Sequence, residues 1–153
     1  MIYNVILNSE NRCNIDATDS IGNCEFFFDW SVLPQGKYKM TFSFISSRVN
    51  QTTIDHIPIL TAGLGQNTNF YADYLRISAI TTNTIGVLVP YVVSANSYLY
   101  ADKNINHPII LNRPANNTFN VNILTNDNTN DVWVDNDNTQ MQSYVLTLSF
   151  EQL

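Results

Sequence analysis

An alternation of apolar and polar residues with a period of two is the feature that most constrains the fold of this chain. The segment from residue 37 to residue 44 shows it most clearly, with apolar side chains at Tyr38, Met40, Phe42 and Phe44. Residues 118–124 and 144–150 repeat the pattern. Successive side chains of a β-strand point to opposite faces of the sheet, so each segment is predicted to be a strand with one face in the core.

Four further segments are more continuously apolar: Ile2–Leu7, Cys24–Trp30, His56–Ala62 and Ile85–Val93. They are predicted to be strands buried on both faces or covered by a neighbouring subunit. Shorter strands are predicted at Tyr74–Ala79, Ser97–Ala101, Pro108–Leu111 and Val132–Val134, and one short helical turn at Asn69–Leu75.

The connections between these segments favour one type of β-sandwich. Residues 48–55 and 63–73 are longer than tight hairpin turns, and Greek-key crossovers need such connections. The sequence therefore predicts a single all-β domain over residues 1–153, a jelly-roll-type sandwich of about eight to ten antiparallel strands.

The balance of charge excludes several classes of partner. Only 13% of the 153 residues are charged and the net charge is −6, while 22 residues are asparagine. A usual soluble domain has about 25% charged residues. Seven basic residues are too few to neutralise a phosphate backbone, so no nucleic-acid partner is expected. No run approaches the ~20 apolar residues of a membrane span, so no membrane partner is expected. The first residues lack the pattern of a signal peptide.

No motif in the sequence indicates catalysis. Gly63-Leu64-Gly65 lacks the third glycine and the helix of a dinucleotide-binding loop, and no G-x-S-x-G motif is present. His56 and His107 each lie beside a predicted strand and are interpreted as strand-edge residues. The sequence therefore predicts a protein that is not an enzyme and has no cofactor.

No metal site is predicted either. Cys13, Cys24 and the two histidines lack the spacing of a zinc site. The cysteines are expected to be free thiols, with a bridge across the turn at 19–23 as the alternative. Two loops rich in Asn and Asp, 126–131 and 135–138, are expected to be solvated, and calcium binding remains the alternative because that ion prefers oxygen ligands.

A surface for binding other molecules is the remaining class of function. Tyrosines 71, 74, 91, 98 and 100 stand among Asn and Ser residues, which suits the core, a protein interface or a glycan platform. The residues predicted to form an interface are Phe26, Phe28, Val87, Val89, Tyr91, Tyr98 and Tyr100. Two hypotheses follow: a structural subunit that packs against neighbours, or a glycan- or receptor-binding head domain.

One segment supports a resemblance to a known group of proteins. Residues 28–44 contain the pattern W-x-x-L-P-x-G-x-Y, formed by Trp30, Leu33, Pro34, Gly36 and Tyr38, which enters a long strand. An opening strand at 3–9, Asn112-Arg113-Pro114 and a closing strand at 144–151 complete the similarity.

This arrangement resembles small β-sandwich virion proteins of large nucleocytoplasmic DNA viruses. The resemblance implies a minor capsid, capsomer-cap or fibre-head protein with a jelly-roll fold. It further implies a homotrimer that binds other capsid proteins and is assembled into the virion in the host cytoplasm. It brings no catalytic residues with it.

Overall fold

The fold is taken from a computed structural model, which describes residues 1–14, 22–47, 49–50, 58–65, 83–95, 97–102, 106–124 and 143–153. Eleven strands lie in these ranges: β1 Ile2–Asn8, β2 Asn23–Phe27, β3 Lys37–Ser46, β4 Val49–Asn50, β5 Ile59–Ala62, β6 Thr84–Val87, β7 Val89–Ser94, β8 Ser97–Ala101, β9 Ile109–Asn112, β10 Thr118–Leu124 and β11 Tyr144–Gln152. Two single-turn 3₁₀ helices, Ser9–Asn11 and Trp30–Val32, follow β1 and β2.

The strands form two antiparallel sheets that pack face to face. Sheet A has the order β1-β11-β3-β8-β4, with β9 beside β3 and β7 beside β8, and sheet B has the order β2-β10-β5-β6. Through the described strands the chain changes sheet six times: from β1 to β2, β2 to β3, β4 to β5, β6 to β7, β9 to β10 and β10 to β11. This is jelly-roll connectivity, which confirms the predicted fold class.

The core lies between the sheets and is rich in aromatic rings. The largest fully buried side chains are those of Trp30, Tyr38, Tyr100, Tyr144, Phe44 and Phe150. Trp30 is central, with ring centroids 4.7 Å from Phe28, 5.5 Å from Phe119 and 5.4 Å from Phe150. Such offset and edge-on contacts between rings stabilise the core beyond the burial of their area.

The alternating segments fold as predicted. In β10, Phe119, Val121 and Ile123 are buried, and in β11 so are Tyr144, Leu146, Leu148 and Phe150. In β3, Tyr38, Met40 and Phe44 are buried, whereas Phe42 is only half-buried. Phe42 is more open because the strand beside it is interrupted. β3 pairs with β8 at Ile45–Ala101 and with β9 at Met40–Ile109. Between these two pairs β3 has four residues, 41–44, whereas the segment that joins β8 to β9 has seven, 102–108.

The continuously apolar segments depart from prediction in three places. Within the subunit β1 is buried on one face only, since Ile2 and Ile6 are 61% and 69% exposed. Of the two predicted alternatives for β1, cover by a neighbouring subunit stays a prediction. The run Cys24–Trp30 ends as a strand at Phe27. The run Ile85–Val93 is two strands, because the chain leaves sheet B at Leu88 and joins sheet A as β7.

The run His56–Ala62 gives the strand β5, all of whose described side chains are buried between β10 and β6. The predicted strands at Tyr74–Ala79 and Val132–Val134 and the helical turn at Asn69–Leu75 lie outside the described residues, as does His56.

Candidate protein-contact surface

The outer face of sheet A is divided into a charged half and an uncharged half. In the charged half, Lys39 forms an ion pair with Glu151 at 3.2 Å, and Lys37 lies beside them on the same face of β3. Ile45 lies on the same outward face of β3, four residues after Thr41, and is 53% exposed. The outward row of β3 therefore changes from lysine to isoleucine along its length.

Neighbouring strands extend the apolar half sideways. Ile45 lies opposite Val145 of β11 on one side and Ala101 of β8 on the other. Ala101 pairs with Val89 of β7, and Leu99 pairs with Tyr91. We name this six-residue set the outer patch: Ile45, Val89, Tyr91, Leu99, Ala101 and Val145. Ile45 is exposed and the other five are half-buried, and none carries a charge.

A shallow depression of ≈ 250 Å³ adjoins the outer patch. Its lining is Asn8, Glu10, Ile45, Ser46, Ser47, Ser143, Tyr144 and Val145. Apart from Glu10 these residues are uncharged, so the depression continues the neutral character of the outer patch. Exposed apolar surface rimmed by polar groups is typical of a protein-contact site.

One asparagine holds the two sheets together at the edge nearest the outer patch. Asn106 accepts a hydrogen bond from the Val87 backbone N–H at 2.8 Å and donates one to the Val87 carbonyl at 3.0 Å. Its side chain thus replaces a neighbouring strand at the free side of β6. The Asp102 carboxylate accepts from the Phe44 N–H at 3.1 Å, which secures the interrupted strand against β3. We name this arrangement the Asn106 clamp.

The seven residues predicted to form an interface separate into core and surface. Phe26 and Tyr100 are 4% and 0% exposed, so their assignment to an interface is corrected: they are core residues on inward positions of β2 and β8. Phe28 is partly buried and packs edge-on against Trp30. Tyr98 also packs against the core from the inner face of β8. Val87, Val89 and Tyr91 are half-buried, and of these Val89 and Tyr91 belong to the outer patch.

Sequence reasoning missed the centre of the outer patch. Ile45 continues the outward row of Lys37, Lys39, Thr41 and Ser43, and Val145 occupies the corresponding position of β11. The available signal was Val145, an apolar residue at a position predicted to face solvent, and Ile45, which directly follows the predicted alternation of residues 37–44. Ala101 and Leu99 gave no such signal, because only the pairing of β8 with β3 and β7 places them beside Ile45.

The phenol of Tyr144 has a strongly displaced pKa. Burial, with a smaller contribution from the neighbouring Cys24 thiol, raises the pKa of Tyr144 well above its ordinary value of 10.0. Its hydroxyl is buried and lacks a well-formed hydrogen bond. The folded protein therefore holds this phenol neutral at a pH where the unfolded chain would ionise.

We expect Tyr144→Phe to reduce the loss of stability at alkaline pH. The stabilisation linked to this group is complete below the unfolded-state pKa near 10 and is lost as pH rises through the higher folded-state value. Thermal unfolding at pH 7 and at pH 11 measures the effect. At pH 7 the melting temperature of the variant should equal or exceed that of the native chain, and between pH 7 and pH 11 it should fall by less. Equal falls in melting temperature would contradict the assignment.

The remaining polar candidates do not assemble into a site. Within the described ranges, no three side chains of His, Cys, Asp or Glu come together as metal ligands would. Cys13 is exposed and Cys24 is buried, and neither forms a disulfide bond. His107 is exposed at the edge of a small depression of ≈ 110 Å³ that also includes Phe42 and Asn106. The Asn/Asp loops and Tyr71 and Tyr74 lie outside the described residues.

Comparison with known proteins identifies no relative. No family model matches the chain, and neither a curated protein nor a solved structure is significantly similar to it. In the part of the chain that the structure describes, no helix has the length and apolar character to cross a bilayer.

Proposed function

We propose that this protein is a non-enzymatic structural subunit that packs against other protein subunits through the outer patch. In the form suggested by its sequence resemblance, it is a minor capsid or capsomer-cap component of a virus particle, a homotrimer that binds other capsid proteins. The observation that carries the proposal is Ile45, an isoleucine that is 53% exposed in the uncharged half of the outer face of sheet A.

Three features support an assembly role. The jelly roll is an architecture of viral capsid proteins as well as lectins, although a fold by itself does not define a function. The outer patch is formed by backbone-paired strands, so it is a rigid surface that loses little conformational entropy on binding. Among the described residues of sheet A's outer face, the charged ones, Lys37, Lys39 and Glu151, lie at the end opposite the outer patch.

A trimer places a constraint on how the outer patch is used. Three-fold rings are built from contacts between two different surfaces of the subunit, not from one surface meeting itself. In a homotrimer, the outer patch of one copy would therefore contact another region of the next copy. The same outer patch could face a different capsid protein in a mixed assembly.

A single charge at the centre of the outer patch tests the proposal. We expect Ile45→Asp to weaken association at least about 30-fold, since an interface hot spot is worth 2 kcal/mol or more. Thr41→Asp is the matched control, because Thr41 is exposed on the same face of β3 four residues away. Sedimentation velocity over a concentration series measures both. The proposal is overturned if Ile45→Asp associates as the native chain does, with both variants showing native circular dichroism.

A further inference from the structure

The free edges of the two sheets differ in whether other groups cover their backbone N–H and C=O groups. On the outer side of β2, the Asn14 side chain accepts from the Glu25 N–H at 2.7 Å and donates to the Asn23 carbonyl at 2.9 Å. On the outer side of β6, Asn106 makes the equivalent pair of bonds to Val87. Both edges of sheet B are thus occupied by asparagine side chains. Such covering prevents an edge from pairing with another chain.

The edge of sheet A at β1 has no such cover among the described residues. There, the backbone of β1 is hydrogen bonded along its length to β11 alone. The bond from the Gln152 N–H to the Met1 carbonyl, 3.5 Å long, fixes which groups face β11. Antiparallel pairs alternate, so Tyr3, Val5 and Leu7 bond to β11, whereas the N–H and C=O groups of Ile2, Asn4 and Ile6 point away from the sheet.

The side chains of β1 leave this edge open to another strand. The sequence Ile2-Tyr3-Asn4-Val5-Ile6-Leu7-Asn8 contains no charge and no proline, the two devices that most often protect an edge. Ile2 and Ile6 are 61% and 69% exposed, although both are large apolar residues. Asn4 is exposed between them, and its side-chain amide oxygen Oδ1 accepts from the Ser149 hydroxyl at 2.7 Å.

We propose that β1 pairs antiparallel with β1 of a second copy of this chain, about a two-fold axis at Asn4. The proposal rests on the proposed function, since it names one contact through which the subunit assembles. A two-fold contact joins copies in pairs, so in an assembly of homotrimers it would link one trimer to the next and not close the three-fold ring. In this register Ile2 lies opposite Ile6 of the second copy, and the reverse, so each of the four exposed isoleucines gains an apolar neighbour across the strand pair. The two Asn4 residues face each other, and each side-chain N–H₂ donates to the other's amide oxygen.

The register follows from the sequence of β1 itself. Ile2, Asn4 and Ile6 are the residues whose backbone groups point outward, and in this register they pair only with one another. A two-fold axis at Val5 would instead oppose each Ile6 to an Asn4 and leave Ile2 opposite Asn8. The axis at Asn4 matches apolar to apolar and amide to amide, and it brings no like charges together.

Engineered cysteines test both the contact and its register. In a Cys13→Ser background, we expect Asn4→Cys to form a covalent dimer under mild oxidation at least about ten times faster than Thr41→Cys, because directly opposed Cβ atoms are ~4.5–5.5 Å apart. Thr41 is exposed on the same face of sheet A, with β11 between its strand and β1. Ile6→Cys alone should cross-link slowly, and Ile2→Cys with Ile6→Cys should cross-link rapidly.

A charged variant provides a second readout without oxidation. Ile6→Lys places one ammonium group from each copy in the paired edge, whereas the hydrogen bonds from β1 to β11 remain. We therefore expect sedimentation to give a lower mass, and the circular dichroism spectrum to stay native. The edge proposal is overturned if Asn4→Cys cross-links no faster than Thr41→Cys, as it would if another segment of the same chain covered β1. Association that still depends on Ile45 would then leave the proposed function standing, whereas a native chain that is monomeric and does not cross-link removes both.

Discussion

Trp30→Ala is expected to lose about 3–5 kcal/mol of the free energy of unfolding, the range measured for deletion of large buried aromatic side chains. Trp30 is 1% exposed and contacts rings from both sheets, Phe119 of β10 and Phe150 of β11. Its indole N–H donates to the Asn116 carbonyl at 3.1 Å, so truncation also leaves that carbonyl without this partner. The cavity would open at the point where the sheets meet.

Urea denaturation monitored by far-ultraviolet circular dichroism measures this loss. For a chain of this size the same loss lowers the melting temperature by on the order of 10 °C. Phe27→Ala is the matched control, because Phe27 is an aromatic residue of the same segment that is 63% exposed. That variant should stay within about 0.5 kcal/mol of the native chain. A Trp30→Ala loss below about 1 kcal/mol would contradict the packing described above, since burial of this size costs more.

Gly86→Ala is expected to destabilise the fold by about 1–3 kcal/mol, the usual range for overpacking. A Cβ atom at Gly86 would lie 2.6 Å from Phe42 Cε1 and 2.6 Å from Asn106 Cγ, far inside ordinary contact. The Phe42 ring is held by the core and Asn106 by its two bonds to Val87. Either group must move, and movement of Asn106 opens the Asn106 clamp.

Gly63→Ala is the control for loss of a glycine as such. A Cβ there has its nearest neighbour, the Asn120 backbone nitrogen, at 3.5 Å, which is ordinary contact. Alanine should therefore be tolerated and could stabilise the fold by about 0.4–1 kcal/mol, because it restricts the unfolded chain. In an Asn106→Ala background, Gly86→Ala should lower the free energy of unfolding by less than it does in the native chain, because the two residues are in contact and their effects couple. If the two glycine variants are equally stable, the close approach at Gly86 is wrong.

The sequence predicted the fold where a strand has one buried face. β3, β10 and β11 follow their period-two pattern because one side packs on the other sheet and the other side meets solvent. The motif that carried the resemblance also has a structural explanation. Trp30, Leu33 and Tyr38 are all buried, and the Tyr38 hydroxyl donates to the Pro34 carbonyl at 2.6 Å.

The sequence was less informative where tertiary context decides. The run Ile85–Val93 is apolar throughout, so nothing local marks Leu88 as the point where the chain changes sheet. Asn106 appears in the sequence as one of many loop asparagines, and only the fold brings it to Val87. For the surface, Tyr100 and Tyr91 lie on neighbouring strands with similar composition, and register alone places one in the core and the other in the outer patch.

The low content of charge acquires a more specific meaning from the structure. In the part of the chain that the structure describes, the charges on the outer face of sheet A lie at one end of it, and both β1 and the outer patch are neutral. Uncharged surfaces of this kind suit close packing between subunits, since they avoid the cost of burying unpaired charge.

The mass of the native chain in solution tests the central claim, that this jelly roll is an assembly subunit, most directly. Multi-angle light scattering after size exclusion, at tens of micromolar subunit, compares that mass with the 17.4 kDa of one chain. We expect the native chain to have a mass that is an integral multiple of the subunit mass. The mass should be lower for the Ile45→Asp variant and unchanged for Thr41→Asp. A native chain that elutes with the mass of one subunit at this concentration would contradict the central claim.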